Sequence, residues 1–209
     1  MKNYITIKDK IKKFNKKIEV SGDKSISIRC VLLASQAIGK SKIYNLLESD
    51  DVLNSLRSIK KLGIEYKKIK NYYEIYGFGL SGFNTHKKTV INAGNSGTFA
   101  RLILGLLVDS KNQIEVKGDQ SLSKRDFSRI TEPLSLFGAN FFSEKKKLPL
   151  KITGTEFLRP IKYNEELGSA QCKSAVMLAA LKTAGITKIK AKKSRNHTEL
   201  LFKSLNIPI

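Results

Sequence analysis

The 209-residue chain is 41% hydrophobic, enough to bury a core and to form one or two domains, and none of its apolar runs approaches the ~20 residues a membrane-spanning helix needs. Its start, MKNYITIKDKIKKF, alternates where a signal peptide would carry an apolar stretch, so a cytoplasmic address without a membrane partner is expected. Lys and Arg number 39 against 18 Asp and Glu, a net charge of +21 that points to anionic partners, but the excess is lysine scattered along the whole chain with no Arg-rich arm, which reads as solvated surface.

Taken in chain order, strand-like pieces over Tyr4 to Ile7 and Lys17 to Val20 precede "SGDKSISIR", residues 21 to 29, a Ser/Asp-rich helix start with Lys24 and Arg29 projecting from it. The stretch lacks the glycine that a Walker A loop places five residues before its Gly-Lys-Ser/Thr, so nucleotide binding through such a loop is excluded. An apolar helical run from Cys30 to Ile38 follows, then a β-type run from Lys42 to Leu46, an amphipathic helix from Asp51 to Leu62, and strands at Ile64 to Tyr66 and Tyr72 to Tyr76. The same order then returns. "INAGNSGTFARL", residues 91 to 102, leads into an apolar helix through Val108, a strand from Gln113 to Val116, a helix from Phe127 to Phe137, and strands at Asn140 to Ser143 and Leu148 to Ile152. "GSAQCKSAVMLAAL", residues 168 to 181, opens a third round, with a strand from Thr187 to Lys190 and a helix from His197 to Leu205. Ser25, Gly97 and Ser169 are spaced by 72 residues, as are Arg29, Arg101 and Lys173. The chain therefore reads as an α/β (α+β) protein of three repeated helix-strand-helix-strand-strand units. The third stops at "SLNIPI", where its closing strands are expected, so the chain looks like a fragment.

Helix starts concentrate unpaired backbone N–H groups and the positive end of the helix dipole, so three of them around a pseudo-threefold axis, with two arginines and a lysine, would make an anion site. The short polar residues Asn95, Ser96 and Thr98 and the glycines at 94 and 97 suit close approach of a ligand to the backbone. In "GDQSLSKRDFSRI", residues 118 to 130, Lys124, Arg125 and Arg129 add charge, and Arg125 offers a planar fork for carboxylate or phosphate. Ser169, Gln171 and Lys173 are polar residues at the start of a strongly apolar helix and need partners, whether a cap or a ligand. Cys30 and Cys172, in separate helix-like segments without Cys or His neighbours, read as free thiols, and no metal is expected. The sequon-like Asn196-His197-Thr198 reads as accidental.

The set Lys24-Ser25-x-x-x-Arg29, Asn95-Ser96-Gly97-Thr98-x-x-Arg101, Ser121-Leu122-x-Lys124-Arg125, Ser169-Ala170-Gln171-x-Lys173-Ser174 and "KSRNHTELL", residues 193 to 201, is similar to the N-terminal half of the EPSP synthase (3-phosphoshikimate 1-carboxyvinyltransferase) family, from about residue 20 to 205. The resemblance implies an enolpyruvate transferase fold of two domains, each of three units about a pseudo-threefold axis. Residues 21–209 would form one domain and residues 1–20 a strand pair belonging to the other. It implies transfer of the enolpyruvyl group of phosphoenolpyruvate to the 5-hydroxyl of shikimate 3-phosphate with release of phosphate, a step toward chorismate and the aromatic amino acids. No metal or organic cofactor would be needed, and the full-length enzyme would be a monomer. Lys24 would touch both substrates and act in catalysis. Ser25, Arg29, Ser169, Gln171 and Ser194 would join it in holding shikimate 3-phosphate. Asn95, Gly97, Thr98, Arg125 and Gln171 would join it in holding phosphoenolpyruvate. Glycine at 97 implies room for the herbicide glyphosate.

Three departures from the family pattern stand out. Asp126 follows Arg125 where the family usually has proline, placing a carboxylate that can pair with Arg125 or Lys124. Asn196 replaces the usual aspartate. The acid/base carboxylates of the family's C-terminal half are not in the sequence, so turnover by this chain alone is not expected. The sister family of UDP-N-acetylglucosamine enolpyruvyl transferases is one alternative, but it carries a catalytic loop cysteine, and neither Cys30 nor Cys172 sits on such a loop. The other is a basic nucleic-acid module, which would interleave aromatics with Lys and Arg on one face; the clusters Tyr72-Tyr73-Glu74-Ile75-Tyr76 and Phe141-Phe142 instead look placed to serve the core.

Overall fold

A computed structural model describes residues 5–6, 8–10, 13, 15, 17–86 and 89–209. The first unit runs α1 (Lys24–Gln36), β1 (Ile38–Tyr44), α2 (Asp50–Lys61), β2 (Glu65–Ile69) and β3 (Tyr72–Phe78). The second runs β4 (Val90–Asn92), α3 (Gly97–Leu106), β5 (Ile114–Lys117), a one-turn α4 (Gln120–Ser123), α5 (Ser128–Ser135), β6 (Asn140–Ser143) and β7 (Leu150–Thr153). The third holds β8 (Lys162–Glu165), α6 (Ala170–Ala180), β9 (Lys188–Ala191) and α7 (His197–Ser204).

The expected repeat is present, with one strand more than the sequence shows. β4 pairs in parallel with β5, and β8 in parallel with β9, so units two and three each open with a strand and a parallel crossover through their apolar helix. β4 is three residues long and β8 reads Lys-Tyr-Asn-Glu; neither offers the apolar run or the alternation from which a strand is read. The closing strands form the expected antiparallel hairpins, β2 with β3 and β6 with β7, and the second strand of each lies beside the strand that follows the apolar helix. Lys17 to Val20 form no strand; they are exposed, and no partner runs beside them among the described residues. Tyr4 and Ile7, of the other expected strand, lie outside the described residues.

The core is built by the apolar helices. α3 is buried along nearly its whole length, from Phe99 to Leu106, and α6 buries Ala175, Val176, Leu178 and Ala179 against it. The approach is close: a Cβ added at Gly105 would stand 2.3 Å from the Ala175 carbonyl oxygen, so only glycine fits there. α2 is the clearest two-faced helix, burying Val52, Leu56 and Ile59 while its acidic first turn and basic last turn complement the helix dipole.

The tyrosine cluster divides by strand alternation. Tyr73 is core, but Tyr72 and Tyr76 lie on the opposite, outer face of β3, with Lys42 Nζ 5.3 Å from the Tyr72 ring centre and Lys67 Nζ 5.9 Å from that of Tyr76. The expectation that the whole cluster serves the core thus holds for every second residue. Phe141 and Phe142 split in the same way, the first packing on the core and the second exposed.

Candidate functional site

Three side chains hold the starts of the apolar helices. Asp23 caps α1 by accepting the Ile26 N–H at 2.8 Å, Ser96 caps α3 through the Phe99 N–H at 3.3 Å, and Ser169 caps α6 through the Cys172 N–H at 3.2 Å. These caps satisfy the third N–H of each helix and leave earlier ones open. Among the described residues, the N–H groups of Lys24 and Ser25 on α1, Thr98 on α3, and Ala170 and Gln171 on α6 have no protein acceptor. Open N–H groups on a helix dipole's positive end are what an anion needs.

The three starts lie at one side of the molecule, because side chains join their first turns. The Gln171 amide nitrogen donates to Thr98 Oγ1 at 2.9 Å, and Gln171 Oε1 accepts from Arg101 Nη1 at 2.9 Å, linking α6 to α3. Arg29, only 4% exposed, donates through Nε to Thr198 Oγ1 at 2.8 Å, through Nη1 to the Ser25 carbonyl at 2.9 Å, and through Nη2 to Ser174 Oγ at 3.0 Å, linking α1 to α6 and α7. Burial pulls the Arg29 pKa below the ordinary arginine value against the nearby Glu199 carboxylate, with Arg195 adding to the lowering. Arg101 is lowered chiefly by burial as well, with Arg125 and Arg129 contributing by charge repulsion, which places three guanidinium groups in one neighbourhood.

Gly97 stands at the centre of that neighbourhood. A Cβ there would lie 2.7 Å from Arg101 Nη1 and 3.0 Å from Arg125 Nη1, so glycine is what lets both guanidinium groups close over the start of α3. Gly94, with φ +57, turns the chain ahead of it and packs against Asn54 of α2. Asn95 is exposed, and its amide donates to Asp119 Oδ2 at 2.6 Å, which ties the loop to α4 and so to Arg125 beyond it. Asp119 is held below the usual aspartate range, first by the Leu122 N–H and then by Asn95. Arg125 itself is exposed, with no ion pair among the described residues, so its fork is open. Asp126 does not compete for it, since its Oδ1 accepts the backbone N–H and the hydroxyl of Ser128 at the start of α5.

Lys24 and Ser194 complete the set. Lys24 Nζ, half exposed, is 2.8 Å from Asp51 Oδ2 at the start of α2, whose side chain is 15% exposed. Among the described residues, Ser194 Oγ is buried without a hydrogen-bond partner, as is Glu199 Oε2. Lys173 departs from the pattern of the two arginines: it is buried and paired with Glu199 of α7, so its charge is neutralised within its own unit and the locus holds two repeated arginines without a matching lysine. Ser174, Thr198 and Glu199 lie in the motifs quoted from the sequence but were given no role there, and Glu165 was not singled out; the 72-residue spacing of Arg29, Arg101 and Lys173 hinted only that such helix-borne cations would need partners.

The nucleic-acid reading fares less well. The outer face of β3 does interleave tyrosine with lysine, but Lys42 and Lys67 sit over those rings, and Glu74 accepts from Tyr76 and pairs with Lys40, so the rings are covered within the sheet. No helix among the described residues is long and apolar enough to cross a membrane.

The model of the EPSP synthase (3-phosphoshikimate 1-carboxyvinyltransferase) family matches residues 8–209. The 3-phosphoshikimate 1-carboxyvinyltransferase of Streptococcus mutans is 41% identical over 189 residues, covering 89% of this chain and 44% of that protein, and its counterpart in Streptococcus pyogenes is 41% identical over 185 residues, covering 87% and 43%. The solved EPSP synthase of Acinetobacter baumannii superimposes with a TM-score of 0.84 at 35% identity, over 90% of this chain and 43% of that one. The chain spans less than half the length of the relatives it matches. With a repeat of this form, a matching family model and this structural likeness, the chain belongs to the EPSP synthase family.

Proposed function

We propose that this chain supplies one wall of an enolpyruvyl transfer site, at which the enolpyruvyl group of phosphoenolpyruvate passes to the 5-hydroxyl of shikimate 3-phosphate and phosphate leaves. The observation that carries the reading is the convergence of three helix starts, with five open N–H groups, around Arg29, Arg101 and Arg125. Two substrates that bring two phosphates and two carboxylates into one cleft match such a locus, and donors fixed in advance by folding stabilise charge as it moves between them. Shikimate 3-phosphate is assigned to Lys24, Ser25, Arg29, Ser169, Gln171 and Ser194, whose buried hydroxyl has no partner among the described residues and suits a phosphate oxygen. Phosphoenolpyruvate is assigned to Lys24, Gly97, Thr98, Arg125 and Gln171, with Asn95 setting the loop through Asp119. The setting is the cytoplasm, the full-length protein is a monomer, and turnover requires groups beyond these 209 residues.

Calorimetric titration of the chain with shikimate 3-phosphate and with shikimate tests the assignment. Saturable binding that requires the phosphate, and that is lost in Gln171→Ala, is expected. Equal response to both compounds, or a salt-sensitive shift of DNA without any response to shikimate 3-phosphate, would contradict it.

A further inference from the structure

Glu165, the last residue of β8, is 3% exposed, and a carboxylate buried that deeply must be matched by donors. Its donors are specific. Oε2 accepts the Ser169 backbone N–H at 2.8 Å, Oε1 accepts the Leu167 N–H at 3.3 Å, and Arg129 Nη2 of α5 stands 3.7 Å from Oε1. The loop from Glu165 to Ser169 is therefore wrapped around the side chain of its own first residue, with Gly168 at φ +69 making the turn.

The placement has two consequences. The Ser169 N–H is occupied, so the donors that α6 keeps for an anion are those of Ala170 and Gln171, one step further into the helix. Through Arg129 the same carboxylate also ties the start of α6, in unit three, to α5, which follows the Arg125 segment in unit two. A negative charge beside an anion site would by itself weaken anion binding; here it is matched by two N–H groups and a guanidinium.

We propose that Glu165 is a positioning residue, which sets the start of α6, and with it Ser169 and Gln171, in register with the arginines of unit two. The proposal rests on the enolpyruvyl-transfer reading for the identity of the ligand, but not for the geometry.

The test compares the chain with Glu165→Ala and Glu165→Gln, measuring shikimate 3-phosphate affinity by calorimetry, amide hydrogen exchange at Leu167 and Ser169, and the thermal midpoint. Glu165→Ala is expected to weaken binding about tenfold, with the two amides exchanging about tenfold faster, as for loss of a hydrogen bond to a charged group. Glu165→Gln, which keeps an acceptor oxygen and loses the charge, is expected to recover most of both, whereas a merely structural strut would weaken binding only in step with the loss of folded protein. Binding by Glu165→Ala as tight as the unsubstituted chain or tighter would show the charge to be no more than a repulsion and would overturn the proposal. If the unsubstituted chain shows no response to shikimate 3-phosphate, the enolpyruvyl reading falls, and the exchange data alone decide: unchanged Ser169 and Leu167 amides in Glu165→Ala overturn the positioning role, and faster ones uphold it.

Discussion

The joint between units two and three and the joint between units three and one are built on opposite principles. Where α3 meets α6, contact is apolar and tight enough to demand Gly105, and the polar bridge from Arg101 through Gln171 to Thr98 lies only at its mouth. Where unit three meets unit one, a cavity of about 1280 Å³ opens beside Leu33, Gln36, Met177 and Phe202, and the connection runs through the buried Arg29 to Ser174 and Thr198. Equivalent arginines 72 residues apart therefore do different work. Arg29, proposed above to meet shikimate 3-phosphate, also ties two units together through buried bonds, Arg101 leans on the Phe127 ring at 5.2 Å and holds Gln171, and Lys173 stays within its own unit. Repetition fixes where a cation stands; local packing decides what it does.

The α3–α6 joint is the costlier one to disturb. Phe99→Ala, at a fully buried position on α3, should cost about 3–5 kcal/mol of unfolding free energy. Leu181→Ala, on the half-buried wall of the cavity, should cost only about 1 kcal/mol, because little packing is lost there. Chemical denaturation measures both, and similar values would mean that the two joints are equally packed.

The next effect separates the two arginines. Arg29→Met should cost about 2–3 kcal/mol, since it removes three donated hydrogen bonds from a buried network. Arg101→Met, at a half-buried position, should cost about 1 kcal/mol while weakening phosphoenolpyruvate binding. A reversed order of stability would sink the distinction.

Gly97→Ala acts on ligand binding more than on stability. Its added methyl displaces the Arg101 and Arg125 guanidinium groups without touching backbone of another element, so stability should stay within about 0.5 kcal/mol. Affinity for phosphoenolpyruvate, and for glyphosate in the full-length enzyme, should fall; an unchanged glyphosate inhibition constant would contradict the placement of Gly97 against the ligand.

The smallest effect concerns the loop that carries Asn95. Because the folded-state pKa of Asp119 lies below its unfolded value, its contribution to stability is present above the ordinary aspartate range and is lost as pH falls through the folded-state pKa. Asp119→Asn retains a capping side chain and removes the charge. Thermal midpoints of the two proteins should differ at neutral pH and converge in acid, and a difference that persists into acid would argue against a charge-based cap.

Much of this arrangement is legible in the residues alone. The spacing of Ser25, Gly97 and Ser169 locates three helix starts within one residue of the observed Lys24, Gly97 and Ala170, because caps and apolar faces are local signals. β4 and β8 are not legible, since their strand character comes from the parallel partner each finds on β5 and β9. The fate of Lys173 is equally hidden: its residue type and spacing match those of Arg29, and its capture by Glu199 depends on how α7 lies against α6. Glu165 reads as a surface glutamate in a polar stretch until folding buries it.

In the proposed site, α1 and α6 present their open N–H groups to one anion and α3 presents its own to a second beside it. Titration of the isotopically labelled chain with inorganic phosphate, followed by backbone amide NMR, tests this directly. The amides of Lys24, Ser25, Ala170 and Gln171 are expected to shift together and saturate, and that of Thr98 to saturate with a dissociation constant of its own. Shifts scattered over the surface lysines, without saturation at those five amides, would contradict it.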